Sequence, residues 1–265
     1  MRKQLAVAAV LGAAAIASVA VQAVAAPAAG ASKTLLYCSD ISYPPEEFVQ
    51  GGKPMGSDID IGNDVARRLG MRAKYLNTGF DGIVAALLSN KCDAIISGMN
   101  DTPERAKSVS FADYLSVGQS LIGKKGNPLH IKTPLDVCGK DAGAQVATTN
   151  LQTLQRFNKQ CKAKGKPSIK IIAFKEDPLG VTALKTGHID VYESDSPPAV
   201  WYTTKDKSLQ IVGQPIKPLP VGIAIAPKNK ALTAKVQHAI AAMYNDGTMK
   251  KILEKWHMTE FALKK

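Results

Sequence analysis

From Thr34 to the C-terminus, short apolar runs alternate with longer amphipathic stretches of helical period, and this alternation restricts the fold more than any other feature. It is the pattern of α/β architecture with largely parallel sheets: each apolar run reads as a buried strand and each amphipathic stretch as a helix covering it. Thr34 to Ser39 reads as a strand. After the Tyr43-Pro44-Pro45 turn, Asp58 or Asp60 is placed to cap a helix whose Ile61, Val65 and Leu69 share one face and which Gly70 ends. Ala73 to Asn77 returns as a strand, Ile83 to Leu88 is helical, Asp93 to Ser97 is a buried strand, and Thr102 opens a further helix.

The first residues do not belong to this pattern. Arg2 and Lys3 precede an Ala/Val-rich run from Leu5 to Ala20, and Ala23-Val24-Ala25 and Ala29-Gly30-Ala31 each offer the small-x-small pattern of a signal peptidase site. Residues 1–31 are therefore expected to be an export signal, cleaved between 25 and 32, rather than a membrane anchor, and the mature protein is expected in the periplasm. No Cys lies near these sites to carry a lipid.

The remainder is long enough for two modest cores. Compared with itself, the chain shows a faint repeat: Ala86-Leu87 answers to Ala183-Leu184, Asp93-Ala94 to Asp190-Val191, and Ser97 to Ser194. Any two β-α units share such a pattern, and so do two similar lobes. Ser120 to Lys124 and Val221 to Pro227 are extended segments; paired as crossing strands, they make one lobe from residues 32–122 and 222–265 and a second from 123–221, with a hinge between. Ligand would then sit in the cleft, at the carboxyl ends of the strands.

The net charge of +12 raises nucleic acid or an anionic membrane surface as partners. The lysines are scattered, however, with no aromatic-rich basic stripe, so a solvated surface is expected and no nucleic acid. Cys38, Cys92, Cys138 and Cys161 enter an oxidising compartment. Cys138 precedes a predicted strand and Cys161 follows the next helix, which lets them meet as a disulfide, whereas Cys38 and Cys92 either pair or stay as buried thiols. Their spacings and the dispersed histidines do not describe a metal site, and no cofactor is expected.

The chemistry concentrates in Ser97-Gly98-Met99-Asn100-Asp101-Thr102-Pro103-Glu104-Arg105. Thr102 suits an N-cap and Pro103 the first helical position, so free N–H groups and Arg105 could together take a carboxylate, with Ser97 and Asn100 beside them. The same residues also describe an ordinary helix start. Thr148-Thr149-Asn150 follows the apolar strand around Ala142 to Val146 and could meet the same anion or be a plain cap. An ammonium needs an acid: Asp195, after the strand Ile189 to Tyr192, stands where the repeat places a cleft residue, with Asp190 held back by its turn. Tyr43 and Phe80 are candidate aromatic walls.

These segments, with Cys38-Ser39-Asp40, Asp58-Ile59-Asp60, Phe80-Asp81-Gly82, Phe111 and Asp246-Gly247-Thr248 before Lys255-Trp256, give the chain its likeness. It resembles the bacterial extracellular solute-binding proteins for polar amino acids, the periplasmic components of amino-acid ABC transporters. The resemblance implies a two-lobed periplasmic binding fold, type II-like, with two crossover hinge strands. It also implies a free amino acid as ligand, membrane permease subunits as partners, and action as a monomer. Arg105 would take the α-carboxylate, Asp195 the α-amino group, Tyr43 and Phe80 the walls, Ser97, Gly98 and Asn100 the first-lobe polar contacts, and Thr149 a second-lobe donor. Asp40 resembles a position that meets a basic ligand's distal charge. The chain departs from the family at Glu46, where an aromatic or Met is common, at Ser57, where an aromatic often stands, and at Ala147, a usual Gly. Asp40 and Glu46 tilt the ligand toward arginine, lysine or ornithine. A dehydratase-like enzyme on the same scaffold is the alternative.

Overall fold

A computed structural model describes residues 33–264, and the expected export segment lies outside the described residues. In chain order the elements are β1 (Thr34–Ser39), β2 (Phe48–Gln50), β3 (Lys53–Met55), α1 (Ser57–Arg68), β4 (Arg72–Asn77), α2 (Ile83–Leu88), β5 (Ala94–Ile95) and β6 (Ser110–Lys124). They continue with β7 (Asp141–Gln145), α3 (Thr149–Ala163), β8 (Lys170–Phe174), α4 (Asp177–Thr186), β9 (Val191–Asp195), α5 (Ser196–Lys205), β10 (Leu209–Ile225), α6 (Lys230–Asn245) and α7 (Thr248–Lys255).

One eight-stranded sheet runs β4-β1-β5-β10-β6-β9-β7-β8. Its two wings are parallel: β1 pairs with β4 and β5, and β7 with β8 and β9. The centre is antiparallel, made of β6 and β10. This is the two-lobed fold expected, with the crossing strands longer than their apolar segments suggest. Ser120 to Lys124 and Val221 to Ile225 do not pair with each other. Leu121 to Lys124 lies against Leu209 to Val212, and Val221 to Ile225 against Ser110 to Leu115. Two antiparallel strands that both traverse the molecule meet end to opposite end, so each apolar segment faces the other strand's far half. Between these zones the register slips at Ile216 and Leu219, beside Pro218 and Pro220, which cannot donate to a ladder.

Each wing has apolar packing on both faces. On one wing Tyr37, Ile61, Val65 and Ile223 pack with Val236 and Met249 of α6 and α7, and Ile83, Leu87, Ile95 and Met99 fill the other face. On the second wing Ala142, Leu154, Phe157 and Val191 form one core and Val181, Leu184, Tyr192 and Ala199 another. The repeat is physical. Asp93 accepts from the Leu36 N–H at 2.8 Å, and Asp190 accepts from the Asp141 N–H at 2.9 Å, so each aspartate ties its strand to the first strand of its own wing.

Both disulfides are formed, Cys138–Cys161 as expected and Cys38–Cys92 besides, with Cα atoms 5.7 and 5.6 Å apart. Two local expectations fail. Helix α1 starts after Gly56, and Asp58 turns inward instead of capping it; Asp60 meets Lys255 and Trp256. Thr102 does cap, accepting from the Arg105 N–H at 3.2 Å, but only a single 3-10 turn follows, because β6 begins at Ser110.

Candidate functional site

The parallel strands of both wings end at one cleft. Of the nine residues expected to bind ligand, Asp40, Tyr43, Phe80, Ser97, Gly98, Asn100, Arg105 and Asp195 line it. Arg105 spans the cleft mouth. Its guanidinium donates to the Asn100 carbonyl at 3.0 Å and, across the cleft, to the Ala147 carbonyl at 3.2 Å, and it sits 5.3 Å over the Phe80 ring. Burial pulls its pKa down and the Asp195 charge opposes that. The short turn behind Arg105 offers little dipole, so any anion held here is held by the guanidinium.

Asp195 ends β9 and is buried. Burial raises its carboxyl to about 7; a hydrogen bond from Asn150 and the Arg105 charge pull down, and the Asp177 charge pushes up. Asp40 sits at the end of β1, where Oδ2 accepts from Gln145 Nε2 of the facing wing at 2.7 Å and from the Phe80 N–H at 3.2 Å. Burial raises its pKa, against bonds from Ser42, Gln145 and Phe80. With Glu47, three carboxyl groups share the cavity with one guanidinium.

The Tyr43 hydroxyl reaches across, accepting from the Asp195 N–H at 3.2 Å and lying 3.4 Å from the Ser194 hydroxyl. Gly98 backs onto that ring: its φ is +50°, and an added Cβ would lie 3.2 Å from Tyr43. Thr149 differs from expectation. Its hydroxyl donates to Asn100 Oδ1 at 2.6 Å and accepts from Gln119 Nε2 at 2.8 Å, and its neighbours Thr148 and Asn150 line the cavity instead. Thr148 is the N-cap of α3, accepting from the Leu151 N–H at 3.1 Å.

The geometry matches known proteins. The model of the bacterial extracellular solute-binding proteins, family 3, matches residues 35–259. The chain belongs to that family. This family 3 protein is 29% identical to the ABC transporter arginine-binding protein 1 of Escherichia coli K12, over 86% of its own length and 92% of the relative's. It is 32% identical to the L-cystine-binding protein TcyJ of the same organism, over 84% and 82%. A solved ancestral arginine-binding protein bound to arginine is 35% identical, with a TM-score of 0.77 over 84% of this chain and 97% of that one.

Sequence reasoning missed Glu47 and Gln145 in this solute-binding protein's cleft, while Thr148 and Asn150 belong to the helix start it singled out around Thr149. The Tyr43 and Glu47 backbones exchange hydrogen bonds of 2.7 and 2.9 Å around the Pro-Pro turn, which aims both side chains into the site. Glu46, which with Asp40 tilted the expected ligand toward a basic one, is buried outside the cavity lining, with Asp58, Asp195 and Asp177 near it. Ala147, at the usual Gly position, has a φ of +61°.

Proposed function

We propose that this protein captures a free amino acid in the cleft and delivers it to an ABC importer, and that the cargo is polar and most favourably basic: arginine, lysine or ornithine. The observation that carries the reading is that Arg105 and Asp195 line one cavity, a cation and an acid that together suit a zwitterion's two ends. In this reading Arg105 takes the α-carboxylate and Asp195 the α-ammonium, while Tyr43 and Phe80 enclose the aliphatic stem. Ser97, Gly98 and Asn100 form the first-lobe polar wall, Thr149 steadies Asn100, and Asp40 meets the distal charge. Asp40 and Asp195 face the single cation Arg105 in the cavity, so a cationic side chain gains where a neutral one does not.

The lobes are residues 32–122 with 222–265, and 123–221, hinged on β6 and β10. The signal peptide is cleaved between 25 and 32, the mature protein works in the periplasm as a monomer, and it binds its cargo without converting it. Titration calorimetry with a panel of amino acids on ligand-stripped protein tests the reading. Tight binding of basic amino acids without product is expected; binding confined to glutamate or aspartate, or turnover of a prephenate-like acid, overturns it.

A further inference from the structure

Behind the ligand loop lie two buried carboxyl groups whose oxygens are only half accounted for. Glu47 Oε1 accepts from the Ser97 hydroxyl at 2.8 Å, and Asp58 Oδ2 accepts from the Gly98 N–H at 2.8 Å and the Tyr114 hydroxyl at 2.7 Å. The remaining oxygens, Glu47 Oε2 and Asp58 Oδ1, are buried with no partner of their own, and the two carboxyl groups are anchored side by side on the adjacent residues Ser97 and Gly98. Two neighbouring carboxylates in a buried site repel, and each unpaired lone pair is costly; one proton between them answers both problems.

We propose that Glu47 and Asp58 share a single proton, Glu47 as the acid and Asp58 as its carboxylate partner, and that this pair positions Ser97 and Gly98 for the ligand. The inference rests on the reading that these two residues form part of the amino-acid site. Asp58 is the anion because it already accepts two hydrogen bonds on its other oxygen. Ser97 in turn accepts from the Asp40 N–H at 2.9 Å, so the pair also fixes the backbone at the Asp40 wall.

The surroundings agree. Burial first, then the Asp58 and Glu46 carboxyl groups, push the Glu47 carboxyl well up, with Asp40 adding in the same sense. Burial also raises Asp58, against the bonds from Gly98, Tyr114 and Glu47. The charges acting on Glu47 from the turn, from α1 and from the end of β1 are thus all acidic and all favour keeping the proton.

An amide can replace the proton once but not twice. In Glu47→Gln the Nε2 group donates to Asp58, and in Asp58→Asn the Nδ2 group donates to Glu47, whereas the double variant sets two donors face to face. Calorimetry with L-arginine on the four proteins tests this. Each single variant is expected within about threefold of the parent, and the double variant weaker by more than the product of the two, about tenfold. At alkaline pH the parent should lose affinity relative to Glu47→Gln as the shared proton leaves. A Glu47→Gln protein as impaired as the double, or alkaline profiles that superimpose, overturns the proposal. If the parent binds no amino acid, the functional reading fails, yet thermal unfolding of the same four proteins still decides the pair: strictly additive losses refute it.

Discussion

Asp195 sets the sharpest expectation, a pH dependence of affinity across the periplasmic range. Its carboxyl titrates at about 7 because it is buried, and an ammonium is attracted only to the ionised form. The competent fraction is then about 1% at pH 5 and about 90% at pH 8, so apparent affinity should rise about 90-fold, near 2.7 kcal/mol, over that interval. Calorimetry of arginine binding from pH 5 to 8, in buffers of different ionisation heat, should show about 0.9 proton released per ligand at pH 6. Asp195→Asn should bind weakly and without the slope. Asp177→Asn should keep the slope and move its midpoint down, since it removes a like charge near Asp195. A flat parent profile, or an unchanged slope in Asp195→Asn, would refute the ammonium assignment. The same group makes a stability statement. Its folded value lies above the unfolded 3.8, so the unliganded folded protein holds a proton that the unfolded chain releases, and stability should fall as pH rises from about 4 to 7. Asp177, raised to about 6, adds to the fall over the lower part of that window.

Three further outcomes are expected. Arg105→Ala should cost about 2–4 kcal/mol in affinity through loss of the charge-assisted pair, and an unchanged dissociation constant by calorimetry would remove the carboxylate assignment. Ala147→Gly should raise stability by about 1 kcal/mol, read as a higher Tm, because Ala147 holds a φ of +61° that glycine adopts without a Cβ penalty; a lower Tm would show that the backbone there is not strained. Replacing Cys138 and Cys161 together by Ala should cost about 3 kcal/mol in chemical denaturation, from freeing the 23-residue loop in the unfolded chain, and the Cys38–Cys92 pair, closing 54, should cost about 4; no loss in either would contradict the loop-entropy account.

The fold was legible because its signals are local. An apolar run such as Val191 to Tyr192 is a strand wherever it is buried, and a repeated Asp at the strand's start ties both wings alike. The length of the crossing strands was not legible. Pro215, Pro218 and Pro220 break the apolar pattern of β10, yet a partner strand as long as β6 carries the chain through them with irregular register. Asp58 shows the same limit at one residue: its sequence position suits a cap, and it instead finds the Gly98 N–H and the Tyr114 hydroxyl, partners distant in sequence.

For the site, the legible residues were those beside a strand end or helix start, Asp40, Ser97, Arg105 and Asp195 among them. At α3 the helix start was legible as a segment, with Thr148 and Asn150 on the cavity and the Thr149 hydroxyl bonded to Asn100 and Gln119, partners distant in sequence. Glu46 and Glu47 expose the deeper reason. Two adjacent glutamates, a residue type that is mostly exposed, follow two prolines, and both glutamates are buried. Their surroundings are assembled from residues distant in sequence, Asp58, Asp177 and Asp195 around Glu46 and Ser97 and Asp58 around Glu47, so their protonation is a property of the folded protein rather than of any segment of sequence.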